Sequence, residues 1–442
     1  MKSLFKLFSL LLVSLFTTSM FAQIQYTRAY DQTGINVFEP SKMDQNMYDG
    51  FKLKVGGSFR QGYQMLNHEN VDTSRAKKLA LYPLGNGFNL ASANLNFDIQ
   101  LGDGIRIFLE NYMAARHHNE FWVKGGYIQM DKLPMFGNPE WFTKYCRVKI
   151  GHMEVNYGDS HFRRSDGGNG IFNPFADNNI MDEFATEIGG EFYIYPADGF
   201  MAMLGLTNGL IRNNVRDYGL SPVIGTAKAD SIKAKNPSII LKAAYDKKFE
   251  DLRFRLSASM YHNSSSPSLT LFGGDRTGSA YFGVLEAAAS TNGTAEAFSG
   301  RFNPGMTNTL TTIIINPFVK FKGLEFFGTY EQASGKTVNE KPDAYDGANR
   351  KTTQIAGEVI YRFLKNEQLF VGAKYNTVTS RLTGYTTDVD ITRLSLAAGW
   401  FPTKNLLLKG EFVDQKYEGF KGTDIRSGGK FNGLVIEAVV GF

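Results

Sequence analysis

Residues 91–101 have the sequence ASANLNFDIQL, in which apolar and polar side chains alternate without interruption. In an extended strand, successive side chains point to opposite faces, so one face here is apolar and the other polar. The tripeptide Gly102-Asp103-Gly104 follows, and the alternation resumes at residues 105–110. Glycine and aspartate are typical of tight turns between antiparallel strands. This stretch therefore predicts a β-hairpin with one apolar and one polar face.

The same pattern recurs along most of the chain and predicts about sixteen strands. The connections after even-numbered strands are mostly short, and those after odd-numbered strands are mostly long. Short turns at one end and long loops at the other are typical of transmembrane β-barrels, which close because lipid offers no hydrogen-bond partners. The predicted strands are residues 51–66, 88–102, 105–116, 121–131, 144–155, 186–195, 199–208, 237–248, 251–263, 310–321, 324–333, 352–364, 367–379, 389–401, 405–417 and 430–442.

Aromatic residues cluster at the strand ends that border the short turns. Rings at one level would form the girdle that a barrel places at the membrane interface. A single cysteine, Cys146, excludes a disulfide-stapled domain. We therefore expect an all-β, transmembrane antiparallel β-barrel over residues 51–442, with short periplasmic turns and long extracellular loops. The expected girdle residues are Tyr195, Phe200, Phe249, Phe254, Phe321, Phe326, Phe363, Phe370, Trp400, Phe401 and Phe442.

Both ends of the chain carry export features. Residues 1–22 combine Lys2 and Lys6 with a short apolar run, which predicts a secretory signal peptide. We expect residues 23–50 to form a periplasmic N-terminal segment. The last strand alternates up to Phe442, which resembles the C-terminal signature that the barrel-assembly machinery recognises in outer-membrane proteins. These features together predict the outer membrane of a Gram-negative bacterium, where lipid and lipopolysaccharide surround the barrel.

Charged residues at the polar positions of the strands would face the lumen. By this alternation about fifteen are basic and about seven acidic, an excess of roughly eight positive charges. Because a lining of one sign concentrates ions of the opposite sign, the excess predicts a preference for small anions. The alternative is that these charges pair across strands and only keep the lumen wet. The strand residues that we assign to the anion pathway are Lys124, Arg147, Lys149, Arg253 and Arg255.

The connection over residues 156–185 mixes charges with glycine, asparagine and phenylalanine. It is the third outer loop, and we expect it to fold inward as the constriction loop of the pore. Arg163 and Arg164 could hold a passing anion there, because guanidinium groups bind carboxylate and phosphate through a planar fork. They could equally pair with acidic residues of the same loop and only anchor it. The side chains that could tuck the loop against the wall are Phe172, Pro174 and Phe175.

At this loop the chain resembles a known family. The run RVKIGHMEVNYGDSHF (Arg147 to Phe162) is similar to the corresponding strand and loop of the phosphate-selective porin O/P family, in its Bacteroidetes-type form. The resemblance implies a sixteen-stranded channel that forms a homotrimer and prefers anions such as phosphate. It also implies that Arg163 and Arg164 contact the anion.

The sequence as a whole favours an outer-membrane porin for passive diffusion of small hydrophilic solutes, with an anion preference. An outer-membrane barrel enzyme is an alternative, although we identify no catalytic residues, cofactor or metal site. A surface-binding or adhesive barrel protein is another, because the loop over residues 264–309 is long and low in charge. A transporter of apolar compounds would need an apolar lumen and an N-terminal plug, and the charged wall argues against it. The basic residues are scattered through the strands, so nucleic-acid binding is not expected.

Overall fold

The computed structural model describes residues 24–42, 47–72, 79–115, 121–209, 235–288, 298–337, 340 and 349–442. Within these residues, sixteen antiparallel strands close into one barrel, in which every strand pairs with its neighbours in sequence and the first pairs with the last. The predicted signal peptide, residues 1–22, lies outside the described residues. The strands are β1 (Lys52–Glu69), β2 (Gly87–Gly102), β3 (Ile105–Ala114), β4 (Trp122–Met130), β5 (Cys146–Glu154), β6 (Thr186–Ile194), β7 (Phe200–Thr207), β8 (Ser238–Phe249), β9 (Leu252–Asn263), β10 (Thr309–Phe321), β11 (Leu324–Lys336), β12 (Arg350–Phe363), β13 (Leu369–Ser380), β14 (Val389–Thr403), β15 (Leu406–Glu418) and β16 (Lys430–Gly441).

The predicted fold class and strand order are confirmed, and each strand end lies within about three residues of its expected position. The β4–β5 connection is the exception among the short turns, because it contains a helix, α1 (Glu140–Tyr145). Among the described residues, no helix is both long and apolar enough to cross a membrane.

The two ends of the sheet meet at the C-terminus of the chain. The register between β1 and β16 runs from Ser58 opposite Gly441 to Glu69 opposite Lys430. Beyond it, the amide of Gly57 donates to the carbonyl of Phe442 at 2.9 Å, and the amide of Phe442 donates to the carbonyl of Gly57 at 3.0 Å. Closure matters because an open strand edge would leave backbone groups unpaired in lipid.

The outer face of the barrel is apolar and exposed. In β15, Leu408 and Phe412 are each 40% exposed, whereas Lys409, Glu411 and Val413 between and beside them are buried. A soluble protein would bury the large apolar side chains instead. A closed barrel with this outer face is suited to lipid, and it places the protein in an outer membrane.

The aromatic girdle is only partly as predicted. Tyr195, Phe370 and Phe401 point inward: the Tyr195 hydroxyl accepts a hydrogen bond from Arg147 at 3.0 Å, and the two phenylalanines are almost fully buried. The physical reason is the alternation of the strand, since each of these rings is at an inward position. The girdle residues that are exposed on the outside are Phe200, Phe249, Phe321, Phe326, Trp400 and Phe442.

The inner face is also more apolar than expected. Met203, Ile240 and Ile314 point inward and are buried against loop residues such as Ile180 and Phe272. The loops that follow β5 and β9 therefore fold into the barrel and form a core with its wall. The polar lining that the sequence predicts is interrupted wherever these loops dock.

A pair of glycines brings the loop after β5 into contact with the wall. Gly167 has a φ of +59°, and a Cβ on Gly168 would lie 2.3 Å from the carbonyl oxygen of Ser58 in β1. Neither a left-handed backbone nor a contact of that length suits a larger residue. The Gly-Gly pair therefore allows the loop backbone to lie directly on the strands.

The lipid-facing assignment predicts the effect of a charge on the outer surface. Leu396 in β14 is 47% exposed and pairs with Ala373 and Phe412 on the neighbouring strands. Changing Leu396 to Arg is expected to lower the free energy of unfolding by about 2–4 kcal/mol, because the charge enters the hydrocarbon region. Urea unfolding of the protein refolded in lipid vesicles measures the change.

The matched control is Met135→Arg in the β4–β5 connection, where the methionine is also exposed. Near the interface we expect a loss of about 0–1 kcal/mol. Equal losses for the two variants would contradict the assignment of Leu396 to the lipid face.

Candidate functional site in the barrel lumen

The third outer loop lies inside the barrel. We name residues 155–185 the inner loop; all of them are buried except Ser160, His161, Phe162 and Asn169. Its backbone forms hydrogen bonds with side chains of the wall. For example, the amide of Ile180 donates to the side-chain oxygen of Asn376 at 2.6 Å. A loop held in this way lies within the lumen, and its role as the constriction loop stays a prediction.

Basic residues of the wall hold the inner loop through its carbonyl groups. The ammonium group of Lys409 donates to the carbonyls of Gly170, Asn173 and Phe175 at 2.7–3.0 Å. Arg393 donates to the carbonyl of Asn178 at 2.7 Å. These positive charges are therefore used to position the loop and are not free to meet a solute.

The N-terminal segment enters the lumen from the end with the short turns. Residues 24–42 were expected to lie in the periplasm, but Gln25 accepts a hydrogen bond from the amide of Gly104, and Arg28 donates to the carbonyl of Phe162 in the inner loop at 2.9 Å. Inside the barrel, their polar groups find hydrogen-bond partners on both the wall and the inner loop. The segment is thus a second element that occupies the lumen.

Two carboxylates join the N-terminal segment, the inner loop and the wall. Glu39 and Asp159 both lie 2.7 Å from Arg255 and 2.9 Å from Lys242. Burial alone would raise the pKa of Asp159, but Arg255 and Lys242 hold it at about 2. Burial would also raise the pKa of Glu39, but the same two cations keep that pKa well below its ordinary value. Both carboxylates are therefore ionised at neutral pH.

The positive excess predicted from the strands is largely offset inside the barrel. The expected basic and acidic residues do face inward, but loops and β6 bring further carboxylates that the count left out. Most of the excess of roughly eight charges disappears once these are included. The buried carboxylates that the count omitted are Asp31, Asp131, Asp159, Asp166, Asp177, Asp182, Glu183, Glu187, Glu191 and Asp275, and the buried cations that it omitted are Lys42, Arg163, Arg164 and Arg350.

Six of the seven candidate anion-binding residues have a carboxylate partner. Arg163 lies 3.3 Å from Glu358, and Arg164 lies 2.6 Å from Asp182. The structure thus favours an anchoring role for both loop arginines. The other pairs are Arg147 with Asp131 at 2.8 Å, Arg253 with Asp246 at 2.7 Å, Arg255 with Asp159 at 2.7 Å, and Lys124 with Asp166.

Lys149 is the exception among the seven candidates. Its ammonium group lies 5.1 Å and 5.2 Å from the ring centres of Tyr127 and Tyr193. Within the part of the chain that the structure describes, no carboxylate lies within 4.0 Å of it. Lys149 lines a cavity of about 200 Å³ between β2–β5, the N-terminal segment and the inner loop, which we name the luminal cavity.

The luminal cavity also contains residues that the sequence did not single out. Arg28 of the N-terminal segment lines it, and so does His161 of the inner loop. Burial and nearby Lys242 keep the pKa of His161 well below its ordinary value, so its imidazole is neutral at pH 7. Residues 24–42 have no regular alternation, and for that reason the sequence offered no signal that Arg28 would reach the lumen.

A second cavity, of about 400 Å³, opens at the end of the barrel with the short turns. We name it the periplasmic vestibule. Five basic side chains line it against three acidic ones, so its lining carries a net positive charge. The basic residues are Lys248, Arg253, Lys320, Lys322 and Arg362, and the acidic residues are Glu250, Asp251 and Glu367.

Comparison with known proteins supports the class of fold. No protein-family model and no curated protein matches the chain. The barrel is similar to an anion-selective porin from Comamonas acidovorans, with a TM-score of 0.52 and 13% identity over 89% of this chain and 100% of that one. It is also similar to the outer membrane channel DcaP of Acinetobacter baumannii, with a TM-score of 0.51 and 13% identity over 89% and 98% of the two chains.

At this level of identity the similarity concerns the fold alone. The chain is a sixteen-stranded outer-membrane β-barrel of the porin type. Membership of the phosphate-selective porin O/P family, the homotrimer and recognition of Phe442 by the assembly machinery stay predictions.

The network around Arg255 predicts a pH-dependent loss of stability. Changing Arg255 to Gln leaves Lys242 as the one cation of this network beside Glu39 and Asp159. We expect this change to lower the free energy of unfolding by about 3 kcal/mol at pH 7. A carboxylate with a depressed pKa stabilises the fold above its unfolded pKa of about 4, and this contribution is lost as pH falls toward the folded value. The difference from the unchanged protein should therefore shrink between about pH 4 and pH 2.

Urea unfolding at several pH values, followed by tryptophan fluorescence, measures this difference. Arg381→Gln is the control, because Arg381 pairs with Asp388 on the exposed surface and should contribute at most about 1 kcal/mol. A loss for Arg255→Gln that is no larger than the control, or that does not change with pH, would contradict the network.

The N-terminal segment predicts a change in conductance. Replacing residues 24–42 by a Gly/Ser linker of equal length is expected to raise single-channel conductance, because the ordered segment no longer occupies the lumen. The control replaces the outer loop over residues 382–387, most of which is exposed, in the same way. Equal conductance of the unchanged protein and the first variant would show that the segment does not obstruct the pathway.

Proposed function

We propose that the protein is an outer-membrane channel for passive diffusion of small hydrophilic solutes and that it prefers anions. The porin-type barrel and its polar cavities support the channel. The periplasmic vestibule is the observation that carries the anion preference, because five basic and three acidic residues line it and one of the cations, Lys248, has no carboxylate of the described residues within 4.0 Å. A positive lining raises the local concentration of anions and excludes cations.

Within this proposal, Arg163 and Arg164 shape the constriction and do not bind the solute. Each is buried and paired with carboxylates, so neither has a free charge to offer. The residues that we assign to solute contact are instead Lys149 in the luminal cavity and Lys248 in the vestibule. No carboxylate of the described residues lies within 4.0 Å of either lysine. A particular preference for phosphate remains part of the proposal, because phosphate would respond to the same positive charges.

Two observations favour a second candidate, a transporter of compounds with an apolar body. The N-terminal segment lies inside the lumen, and aromatic rings line the luminal cavity. The charged wall still argues against a purely apolar solute, because a desolvated charge facing an apolar molecule is unfavourable. An amphipathic anion would suit both the aromatic rings and the charged wall.

The vestibule predicts the ion selectivity of the channel. In planar bilayers under a KCl gradient, the refolded protein should show discrete openings with a reversal potential on the chloride side. Changing Lys248, Lys320 and Lys322 together to Gln should move the chloride-to-potassium permeability ratio toward one, because the vestibule loses its positive charge. A further decrease in current on adding phosphate would support the phosphate preference.

The matched control changes three exposed lysines at the opposite end of the barrel, Lys351, Lys416 and Lys421, to Gln. It should leave the permeability ratio unchanged. Cation selectivity of the unchanged protein would contradict the anion preference, and an absence of openings would favour the enzyme or surface-binding alternatives.

A further inference from the structure

Two cations that line the luminal cavity lack a carboxylate partner. Arg28 donates to the carbonyls of Gly34 and Phe162 at 2.8 and 2.9 Å, and its guanidinium lies 3.7 Å from the ring centre of Phe172. Lys149 makes the two ring contacts described above. For the described residues, no carboxylate lies within 4.0 Å of either cation. Both therefore retain N–H groups that can donate to a ligand.

Each carboxylate of the same cavity lies near a cation, and Lys124 is the partner of both Glu110 and Asp166. The lining has as many acidic as basic residues, so the formal charge does not decide what it binds; the pairing does. Every acidic side chain has a cation within 4.0 Å, and a buried charge left without a partner favours a counterion. The pairs are Glu39 with Arg255 at 2.7 Å, Asp98 with Arg106 at 2.7 Å, Glu110 with Lys124 at 3.3 Å, Glu154 with Arg164 at 3.7 Å, and Asp166 with Lys124.

Six aromatic rings line much of the rest of the cavity, beside polar residues such as Asn96, Asn156 and Thr186. Rings from the N-terminal segment, the barrel wall and the inner loop face the same space, which is suited to an apolar group. A cavity of about 200 Å³ has room for a solute of on the order of ten non-hydrogen atoms. The aromatic lining residues are Tyr30, Phe38, Phe108, Tyr127, Phe162 and Phe172.

We infer that the luminal cavity is a binding site for a small organic carboxylate, whose carboxylate group accepts hydrogen bonds from Arg28 and Lys149 and whose apolar body packs against the rings. Inorganic phosphate would contact the two cations but would not pack against the rings. A neutral aromatic compound would pack against the rings but would leave the two cations without an anion. The site deepens the proposed function and rests on it only for the route that the solute takes.

The experiment uses the refolded full chain in detergent micelles and 4-fluorobenzoate as the probe. Fluorine NMR line broadening follows its binding, and 4-fluorobenzamide serves as the neutral analogue of the same shape. We expect saturable binding of the carboxylate and at least fivefold weaker binding of the amide. Lys149→Gln and Arg28→Gln should each weaken carboxylate binding at least fivefold, whereas Lys149→Arg should largely retain it.

Lys416→Gln is the control, because Lys416 lies on the outer face of β15 and lines neither cavity; it should leave the affinity unchanged. The heat-dependent mobility of each variant on gels confirms that the barrel is folded. The site would be overturned by an absence of saturable binding, by equal binding of the amide, or by unchanged affinity in both glutamine variants. Displacement of the probe by inorganic phosphate at lower concentrations than by benzoate would also overturn the organic-acid assignment.

The same preparations in planar bilayers separate this inference from the proposed function. Anion-selective openings without 4-fluorobenzoate binding would overturn the site and leave the channel in place. Binding that depends on Arg28 and Lys149 without any openings would support the site and contradict the proposed channel.

Discussion

Charge burial inside a closed barrel is the constraint on which this structure depends. The wall must be polar enough to be wetted, yet each buried ion needs an opposite charge or several hydrogen bonds to be stable. Arg255 meets this requirement by joining Glu39 of the N-terminal segment to Asp159 of the inner loop. Lys409 meets it with three loop carbonyls. The segments that enter the lumen are therefore held there by the charges of the wall, and the wall is stabilised by the segments.

Function follows from the few places where this pairing is incomplete. Most cations of the lumen have a carboxylate or carbonyl partner, so their number alone does not describe what a passing solute meets. Among the described residues, Lys149 and Arg28 have no carboxylate within 4.0 Å in a cavity lined partly by aromatic rings, and the same holds for Lys248 in the vestibule. With most charges paired and a few cations unpaired, the lumen would attract anions weakly at the periplasmic vestibule and bind them more specifically in the luminal cavity. This arrangement gives the proposed channel its selectivity.

The fold could be predicted from the sequence because lipid imposes the same alternation on every strand. Residues 91–104 are enough to predict most of β2, the turn after it and the inward position of Asp98. The rule failed where side chains meet protein instead of lipid or water: Phe370 and Phe401 are inward, although as aromatic residues they were assigned to the girdle. The site could be predicted only in part. The alternation of β5 predicts that Lys149 faces the lumen. Arg28, in contrast, donates to the carbonyl of Phe162, which is 134 residues away in the chain, and no local pattern predicts such a contact.

The placement of the inner loop is the central claim, and hydrogen exchange tests it most directly. Mass spectrometry of the refolded protein would compare residues 155–185 with the outer loop at residues 381–388, most of which is exposed. The amides of Ala176, Ile180 and Met181 donate to Glu411, Asn376 and Gln354 of the wall. We expect these amides to exchange as slowly as those of the strands. Exchange as fast as that of residues 381–388 would show that the loop does not dock in the lumen, and would contradict both the pairing of charges and the site built on it.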